Sequence, residues 1–257
     1  MQWLTTMEHY KTPNQASGTR LAVDLYLDVG SPYSWFALEV LDRYRTTWDL
    51  DLVLRPVLLG AIHHATGNAM PAIVRARGAH LLRDLHRSAV FFDLPWEGGP
   101  SSFGTPAFNT MNCQRLLTVV AMDKGGASVE LLALARAMFS TIWRSAGQEL
   151  DVRDAEFLKG CCSKAGFTQE ETDVYYSRLQ RDDTKAKLKE TTTEAIQAGA
   201  YGTPSIVVRA CQSEEHADLP NSWSSKPQLF FGSDRFEQLA FMFKKPWHGP
   251  CPTRSKL

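Results

Sequence analysis

The 257-residue chain is long enough for one large domain or two small ones, and its 44% hydrophobic and 22% charged residues are typical of a globular protein. Lysine plus arginine equals aspartate plus glutamate at 28 each, so no net positive charge draws the chain to nucleic acid or to an anionic membrane. No apolar run approaches the ~20 residues that cross a bilayer, so a membrane-spanning protein is also excluded.

The first predicted unit is a strand, a helix and a second strand. Apolar residues alternate over residues 21–29 and predict a strand. Pro32 suits the first position of a helix that Ser31 caps and that continues to about Tyr44. A second strand is expected at residues 50–55. This order predicts a parallel strand pair joined by a right-handed crossover.

The middle of the chain has helical periodicity and few strand features. Six helices are expected there, at residues 77–89, 109–122, 129–146, 154–165, 169–180 and 183–198. Strand character returns at residues 205–208 and 228–231, and Ser233 and Asp234 are expected to open a last helix. The order predicts one small sheet domain that a helical insertion divides.

Cysteine and histidine do not form a recognisable metal or redox motif. The five cysteines are odd in number and lack the C-x-x-C spacing, which favours inert thiols in a reducing compartment. His63 and His64 would diverge by ~100° on a helix, so a joint metal site is not expected. His80 and Asp84 are four residues apart and are expected to form a surface pair. Sequence motifs of phosphate-binding loops, zinc hydrolases and serine hydrolases are absent from the chain.

The turn after the first strand is the leading candidate site, because backbone amides at a helix start bind anions. A redox enzyme of this element order would carry two thiols here, and Ser31 and Ser34 occupy that spacing instead. Serines cannot form a disulfide, but a serine hydroxyl can donate a hydrogen bond to a bound thiolate. Helix capping alone also explains Ser31.

Three further positions are candidates for ligand contact. Gly202-Thr203-Pro204 precedes a strand. A trans peptide bond before Pro204 is expected from sequence alone, since only ~5–6% of such bonds are cis. A cis bond would instead present the Thr203 main chain to an extended ligand. Ser233 and Asp234 would offer helix amides to a carboxylate and a carboxylate to an ammonium, although capping explains both. Asn68 alone is a turn residue.

The chain ends in Ser255-Lys256-Leu257, the peroxisomal import tripeptide, which predicts an import receptor as a partner and the peroxisome as the location. Residues 1–20 are polar and lack the apolar segment of a secretory signal. A short flexible extension is expected there, and a weak organellar presequence, hence a mitochondrial location, stays open.

Several sequence blocks, in this order, resemble the kappa class of glutathione transferases. They are residues 25–35, 54–56, 66–68, 189–192, 199–204, 231–235 and 247–250. Together they cover roughly residues 21–250. The bacterial 2-hydroxychromene-2-carboxylate isomerases share the fold and the serine turn of that class.

The resemblance implies an α/β architecture in which a thioredoxin-like sheet domain carries an inserted all-helical domain. The sheet domain would comprise residues 21–74 and 199–245, and the helical domain residues 75–198. Residues 1–20 and 246–257 would be flexible termini. The resemblance also implies a homodimer that uses reduced glutathione as a cosubstrate, with no resident cofactor and no metal.

The resemblance also assigns roles to individual residues. Ser31 matches the catalytic serine, which holds the glutathione thiolate. The matching glutathione contacts are Ser31, Pro32, Tyr33, Asn68, Thr203, Ser233 and Asp234. Thr203 would bind through its backbone, and it departs from a relative that carries leucine there. Ser233 and Asp234 match the site for the γ-glutamyl group.

The activity that the resemblance implies is detoxification by conjugating glutathione to hydrophobic electrophiles, with glutathione peroxidase activity as a further expectation. Two alternatives stay open: a glutathione-dependent isomerase of the 2-hydroxychromene-2-carboxylate type, and a non-catalytic glutathione-binding or chaperone-like protein. A dithiol oxidoreductase is disfavoured because Ser31 and Ser34 lack both sulfurs.

Overall fold

The computed structural model describes residues 20–73, 75–210 and 226–252. In these ranges four strands form one mixed sheet in the order β2-β1-β3-β4. Strand β1 (Leu21–Leu27) pairs in parallel with β2 (Leu50–Pro56) and antiparallel with β3 (Ser205–Ala210). Strand β3 pairs antiparallel with β4 (Gln228–Phe231). The predicted α/β class and the parallel first pair are confirmed.

Helix α1 (Pro32–Tyr44) connects β1 to β2. Helix α2 (Leu59–Thr66), which the periodicity did not predict, follows β2 and precedes a short 3-10 turn at Pro71–Ile73. The six predicted helices between β2 and β3 are present with shifted ends. They are α3 (Arg75–Phe92), α4 (Met111–Lys124), α5 (Val129–Trp143), α6 (Ala155–Lys164), α7 (Gln169–Ser177) and α8 (Asp182–Gln197). A last helix, α9 (Phe236–Met242), follows β4.

The sheet and the inserted helices share one hydrophobic core. Leu25 on β1, Leu117 on α4 and Phe139 on α5 are fully buried in the same cluster. On α8, Ala195 packs instead with Tyr26 and Val207 of the sheet in a second, smaller cluster. The predicted helical domain of residues 75–198 includes α8. In the structure, α8 packs on the second face of the sheet and so belongs with the sheet domain.

Both faces of β1 are covered, so the strand is buried almost throughout. The alternating pattern predicted one polar face, yet Asp24, Tyr26 and Asp28 are buried as well. Layers of helices on both sides of the sheet explain this difference. Among the described residues no helix is long and apolar enough to span a membrane.

Residues 246–252 pack against the fold, contrary to the flexible terminus expected from residue 246 onward. The Trp247 ring stacks on Tyr44 with 5.1 Å between centroids, and the Tyr44 hydroxyl donates to Gly249 O at 2.7 Å. The Trp48 indole N–H donates to Pro246 O at 2.7 Å. Aromatic stacking and satisfied carbonyls therefore fix this segment on α1. Ser255, Lys256 and Leu257 lie outside the described residues.

Gln114 on α4 ties the insert to the carboxyl ends of the two parallel strands. Its side-chain amide donates to Leu27 O at 2.8 Å and to Val57 O at 2.6 Å. Its side-chain oxygen accepts from Val29 N–H at 3.3 Å. One fully buried side chain thus satisfies three backbone groups just where β1 leads into the turn at Ser31.

Replacement of Gln114 by alanine is expected to lower the free energy of unfolding by roughly 2–4 kcal/mol, because Val57 O and Val29 N–H lose their side-chain partner and Leu27 O keeps only the N–H of Val57. Urea unfolding of the full chain measures the loss. Gln197→Ala, at an exposed position on α8, is the control and is expected to cost less than ~0.5 kcal/mol. Equal losses in the two variants would contradict the role of Gln114.

Candidate functional site

A cavity of about 550 Å³ lies between the sheet and the inserted helices, within the usual size of a small-molecule site. The residues proposed from the sequence come together in its wall. They are Ser31, Pro32, Tyr33, Asn68, Thr203, Ser233 and Asp234. Four separate segments of the chain meet here, so the fold gathers into one place what the sequence presents as scattered candidates.

Ser31 occupies the N-cap position of α1, but its side chain does not cap the helix. Its hydroxyl donates instead to the backbone carbonyl of Thr203 at 2.9 Å. Ser34, the second serine of the turn, is fully buried, and its hydroxyl has no partner among the described residues. Ser34 is not part of the cavity wall, so of the two serines Ser31 is the one that a ligand can reach.

The amides of the α1 start are already partly used. Ser31 N–H donates to Asp28 O, and Ser34 N–H donates to Ser31 O, both at 2.9 Å. Pro32 has no N–H. Fewer backbone N–H groups are therefore free to bind an anion than the sequence predicted. The Ser31 hydroxyl is the principal side-chain donor that this turn offers to a ligand.

The buried carboxyl group of Asp28 holds this turn from below. One of its oxygens accepts from Gly30 N–H and from the Thr110 hydroxyl, both at 2.8 Å. The other accepts from Leu59 N–H, the first residue of α2, also at 2.8 Å. A Cβ at Gly30 would lie 3.2 Å from the Asp28 carboxyl oxygen, so the turn is also tightly packed.

Burial raises the pKa of the Asp28 carboxyl above its ordinary value, and the hydrogen bonds from Leu59, Gly30 and Thr110 oppose that rise. The carboxyl lies at the N-terminus of α2, where the helix dipole favours a negative charge. Its contacts connect β1, α1, α2 and the start of α4. Asp28 is therefore a positioning residue for Ser31.

The loop opposite Ser31 is built around the Thr203–Pro204 bond, which is cis, whereas trans is the default from sequence alone. Asn68 fixes this loop, because its side-chain amide donates to Tyr201 O at 2.7 Å. A Cβ at Gly202 would lie 2.9 Å from the ring of Phe231, so the loop lies directly on that ring. Asn68 thus both lines the cavity and supports the cis-proline loop.

Ser233 and Asp234 line the cavity but do not open the last helix, so that expectation is wrong. Helix α9 begins at Phe236 with Arg235 as its N-cap. Gly232 before them has a positive φ of 93°, which turns the chain away from a helical path. The two residues therefore lie in the loop between β4 and α9, with Ser233 buried and the Asp234 carboxylate exposed.

The inserted helices supply the opposite wall, which is largely apolar. Leu81 and Phe92 on α3 contribute to it, together with Phe103 from the following loop. The same wall contains Asp84, which accepts a hydrogen bond of 2.6 Å from the Tyr33 hydroxyl. The expected pair of His80 and Asp84 is present at 4.0 Å, with His80 largely exposed. The shorter bond from Tyr33 to the same carboxylate was not predicted.

Two further polar residues of the wall were not proposed from the sequence. Arg77 on α3 brings a permanent positive charge. His63 on α2 is half-buried, and burial lowers its pKa, which favours the neutral imidazole at neutral pH. In the described ranges no three side chains of His, Cys, Asp or Glu cluster as metal ligands would.

None of the described cysteines lines the cavity. Burial raises the pKa of Cys161 to about 12 and that of Cys162 to about 11, and it raises the pKa of Cys113 as well. These thiols are held in the unreactive protonated form, as expected for inert cysteines. The described part of the chain therefore supplies no thiol to this cavity.

The sequence reasoning missed Asp28, Thr110, Gln114, Arg77, Asp84 and His63. A local feature was available for Asp28, since a carboxylate at a strand end directly precedes the glycine and serine of the turn. No local feature distinguishes the others. Their roles come from contacts across the insert, such as the one between Thr110 and Asp28, 82 residues apart.

Comparison with known proteins agrees with this geometry. A sequence profile of the DsbA-like thioredoxin domain matches residues 22–244. The 2-hydroxychromene-2-carboxylate isomerase structure superposes with a TM-score of 0.62 at 19% identity, covering 86% of this chain and 93% of that one. These matches define a thioredoxin-fold protein of the DsbA-like type, as the sequence predicted.

Two relatives narrow the class further. Glutathione S-transferase kappa 1 of rat is 32% identical over 232 residues, which cover 90% of this chain and 94% of the rat protein. Glutathione S-transferase kappa 1 of human is 30% identical over 233 residues, with coverages of 90% and 94%. Similarity at this level along nearly the whole length means that the chain belongs to the kappa class of glutathione S-transferases.

The raised pKa of Asp28 predicts a pH dependence of stability. A carboxyl whose folded pKa exceeds its unfolded value of ~3.9 stabilises the fold below that value, and the contribution is lost as pH rises through the folded pKa. Relative to Asp28→Asn, the wild type is therefore expected to lose stability as pH rises.

Urea unfolding of both proteins between pH ~4 and pH ~8 checks this, with Asp182→Asn on the exposed surface of α8 as the baseline. A constant difference between wild type and Asp28→Asn, or a wild type that gains stability with rising pH, would overturn the assignment.

Proposed function

We propose that the protein joins the sulfur of reduced glutathione to hydrophobic electrophiles, and that the same sulfur anion reduces peroxides. The observation that carries this proposal is the Ser31 hydroxyl, which lies at the start of α1 in the wall of a cavity that no described cysteine lines. A hydroxyl in that place stabilises a thiolate that the ligand supplies. Detoxification of electrophiles follows from this chemistry.

The charges of the cavity wall complement those of the tripeptide. Glutathione carries one ammonium group and two carboxylates. Asp234 offers an exposed carboxylate for the ammonium, beside Ser233. Arg77 supplies the permanent positive charge of the described wall, and we assign it to one of the carboxylates. The Thr203 backbone faces the middle of the tripeptide, where the cysteinyl residue lies.

Binding requires the Ser31 hydroxyl to change its hydrogen-bond acceptor. Without ligand, its single proton is donated to Thr203 O. A hydroxyl has one proton to donate, so it must leave that carbonyl in order to donate to a thiolate. The Thr203 carbonyl is then free to accept the N–H of the cysteinyl residue. Ligand binding thus exchanges one hydrogen bond for two.

The magnitudes allow this mechanism without a metal or a histidine base. A thiol of pKa ~8.5 is ~3% ionised at neutral pH, and lowering the pKa by ~2 units takes ~2.7 kcal/mol. A hydroxyl hydrogen bond to a charged group contributes ~1.5–3 kcal/mol, and a helix N-terminus adds ~0.3–1 kcal/mol. The resulting gain in thiolate is about 25-fold, so orientation of the electrophile must supply the rest of the acceleration.

Two other functions use the same cavity and differ in their products. An isomerase would regenerate glutathione, and product analysis would show no net loss of the tripeptide. A non-catalytic glutathione-binding or chaperone-like protein would bind the tripeptide and leave a panel of electrophiles unchanged. The reachable position of Ser31 beside an apolar wall favours conjugation over both.

Location and assembly complete the proposal. The Ser255-Lys256-Leu257 tripeptide supports binding to a peroxisomal import receptor, with the mitochondrion as a second location.

A homodimer is proposed as well. Exposed apolar side chains of α3, with Leu82 at 61% and Val90 at 70% exposure, offer a surface on which a second copy can pack.

Ser31→Ala is expected to retain the fold and glutathione binding but to lower turnover of an aryl halide by at least ~10-fold, because the charged hydrogen bond is lost. Titration of the thiolate absorbance of bound glutathione measures the cause directly, since the apparent pKa of the bound thiol should rise. Ser34→Ala is the matched control, because that hydroxyl has no partner and does not line the cavity. Unchanged turnover in Ser31→Ala would refute the mechanism.

Arg77→Ala is expected to weaken glutathione binding by ~10-fold or more, the effect of removing one charge-assisted hydrogen bond. Isothermal titration calorimetry measures the dissociation constant. Arg83→Ala, an exposed arginine of the same helix that does not line the cavity, should bind like the wild type. If both variants bind equally well, the assignment of Arg77 to a carboxylate of the tripeptide is wrong.

A further inference from the structure

Asp84 is the acidic side chain of the cavity wall that the proposed mechanism does not use. It lies on α3, between the apolar wall residues Leu81 and Phe92, and about one-third of its side chain is exposed. Asp84 also lines an adjoining groove of about 430 Å³, which it shares with Tyr33 and Leu81. Its carboxylate therefore belongs to the largely apolar wall that the inserted helices contribute, which is the side that we assign to the acceptor.

The position of this carboxylate is fixed by Tyr33. The Tyr33 hydroxyl donates to one oxygen of Asp84 at 2.6 Å, and this bond joins α1 to α3 across the cavity. Burial, and then the neighbouring Asp84, raise the pKa of the Tyr33 phenol, so the phenol remains a donor at working pH. Ser31, Tyr33 and Asp84 line the same cavity, so the bond holds a negative charge in the wall of the cavity that is proposed to bind the thiolate.

The surrounding positive charges offset the charge of Asp84 only in part. Arg87 contacts its other oxygen at 3.1 Å, but two-thirds of the Arg87 side chain is exposed to water, which screens the pair. His80 is 4.0 Å away and is also two-thirds exposed. Arg77 precedes Asp84 by two turns of α3, about 10 Å along the helix axis.

The charges of bound glutathione leave Asp84 facing the acceptor. In the proposed complex the ammonium group is matched by Asp234 and one carboxylate by Arg77. The second carboxylate of the tripeptide, the thiolate and Asp84 then remain as negative charges, and the thiolate and Asp84 are the two that we place next to the acceptor. An acceptor that brings its own carboxylate is repelled by both, whereas an uncharged acceptor meets the apolar surface of Leu81 and Phe92.

We infer that Asp84, held by the Tyr33 hydroxyl, is a specificity-determining residue that selects uncharged acceptors and rejects electrophiles bearing a carboxylate near the reacting carbon. The inference rests on the proposed function. The reaction concerned is substitution: the thiolate sulfur forms a bond to the ring carbon, the carbon–chlorine bond breaks, and chloride departs with the electron pair.

Two aryl halides that differ in one carboxylate test this inference: chlorodinitrobenzene, which is uncharged, and chlorodinitrobenzoate, which is anionic. The measured quantity is the ratio of kcat/KM for the anionic acceptor to that for the uncharged one. Asp84→Asn keeps an oxygen for the Tyr33 hydroxyl and removes the charge, so the ratio should rise at least ~5-fold, about 1 kcal/mol. Asp84→Glu retains the charge and should keep the wild-type ratio.

Arg87→Gln provides a test of opposite sign that does not alter Asp84. Removing the screening cation strengthens the negative field, so the ratio should fall below that of the wild type. A ratio in Asp84→Asn and Arg87→Gln equal to the wild-type ratio, with normal turnover of chlorodinitrobenzene, would overturn the inference alone. No conjugation of chlorodinitrobenzene by the wild type would overturn the proposed function, and the inference with it.

Discussion

The hydrogen bond between the Ser31 hydroxyl and the Thr203 carbonyl joins the two segments that form the centre of the site, and the proposed function depends on the exchange of this bond for a bond to the ligand. It joins the start of α1 to the cis-proline loop, across a sequence separation of 172 residues. Each partner is held independently. The Asp28 carboxyl and Gln114 fix the turn that carries Ser31, and Asn68 fixes the loop that carries Thr203. The Ser31 hydroxyl is thereby held at a place where, in the proposed complex, the sulfur of glutathione replaces Thr203 O as its hydrogen-bond acceptor.

The inserted helices form one wall of the cavity and also hold the turn and the side chains that line its other wall. Thr110 and Gln114 reach from the insert to the ends of β1 and β2, and Asp84 reaches to Tyr33. The charged and polar groups around the turn have opposing effects on the stability of a bound thiolate. The N-terminus of α1 and the Ser31 hydroxyl favour a thiolate, while the carboxyl of Asp28 below the turn opposes it. In the proposed complex the hydroxyl contributes most, because it is the group that we assign to direct contact with the sulfur.

Much of the architecture could be predicted because it depends on local patterns. Alternation located β1, and helical periodicity located every helix of the insert. Helix α2 was missed because it spans only eight residues and its first amide is satisfied by Asp28, 31 residues earlier in the chain. The start of α9 was misplaced because Gly232 has a positive φ, which the sequence alone did not reveal.

The sequence predicted which residues line the candidate site, but it did not predict the hydrogen bonds among them. Ser31 followed from its place between strand and helix. Asn68, Thr203, Ser233 and Asp234 were candidates from local features, and the resemblance assigned them to glutathione. The partner of the Ser31 hydroxyl, however, was expected to be a helix amide, and it is a distant carbonyl. Asp84 was assigned to the surface because its spacing from His80 is local, whereas its bond to Tyr33 depends on how α3 docks on α1.

A crystal structure of the wild-type protein with reduced glutathione tests the exchange of acceptors most directly. The account predicts that the cysteinyl sulfur lies within ~3.5 Å of the Ser31 hydroxyl oxygen, that the bond from Ser31 to Thr203 O is broken, and that Thr203 O accepts the cysteinyl N–H of the ligand. A complex in which the Ser31 hydroxyl still donates to Thr203 O while the sulfur lies elsewhere in the cavity would contradict it.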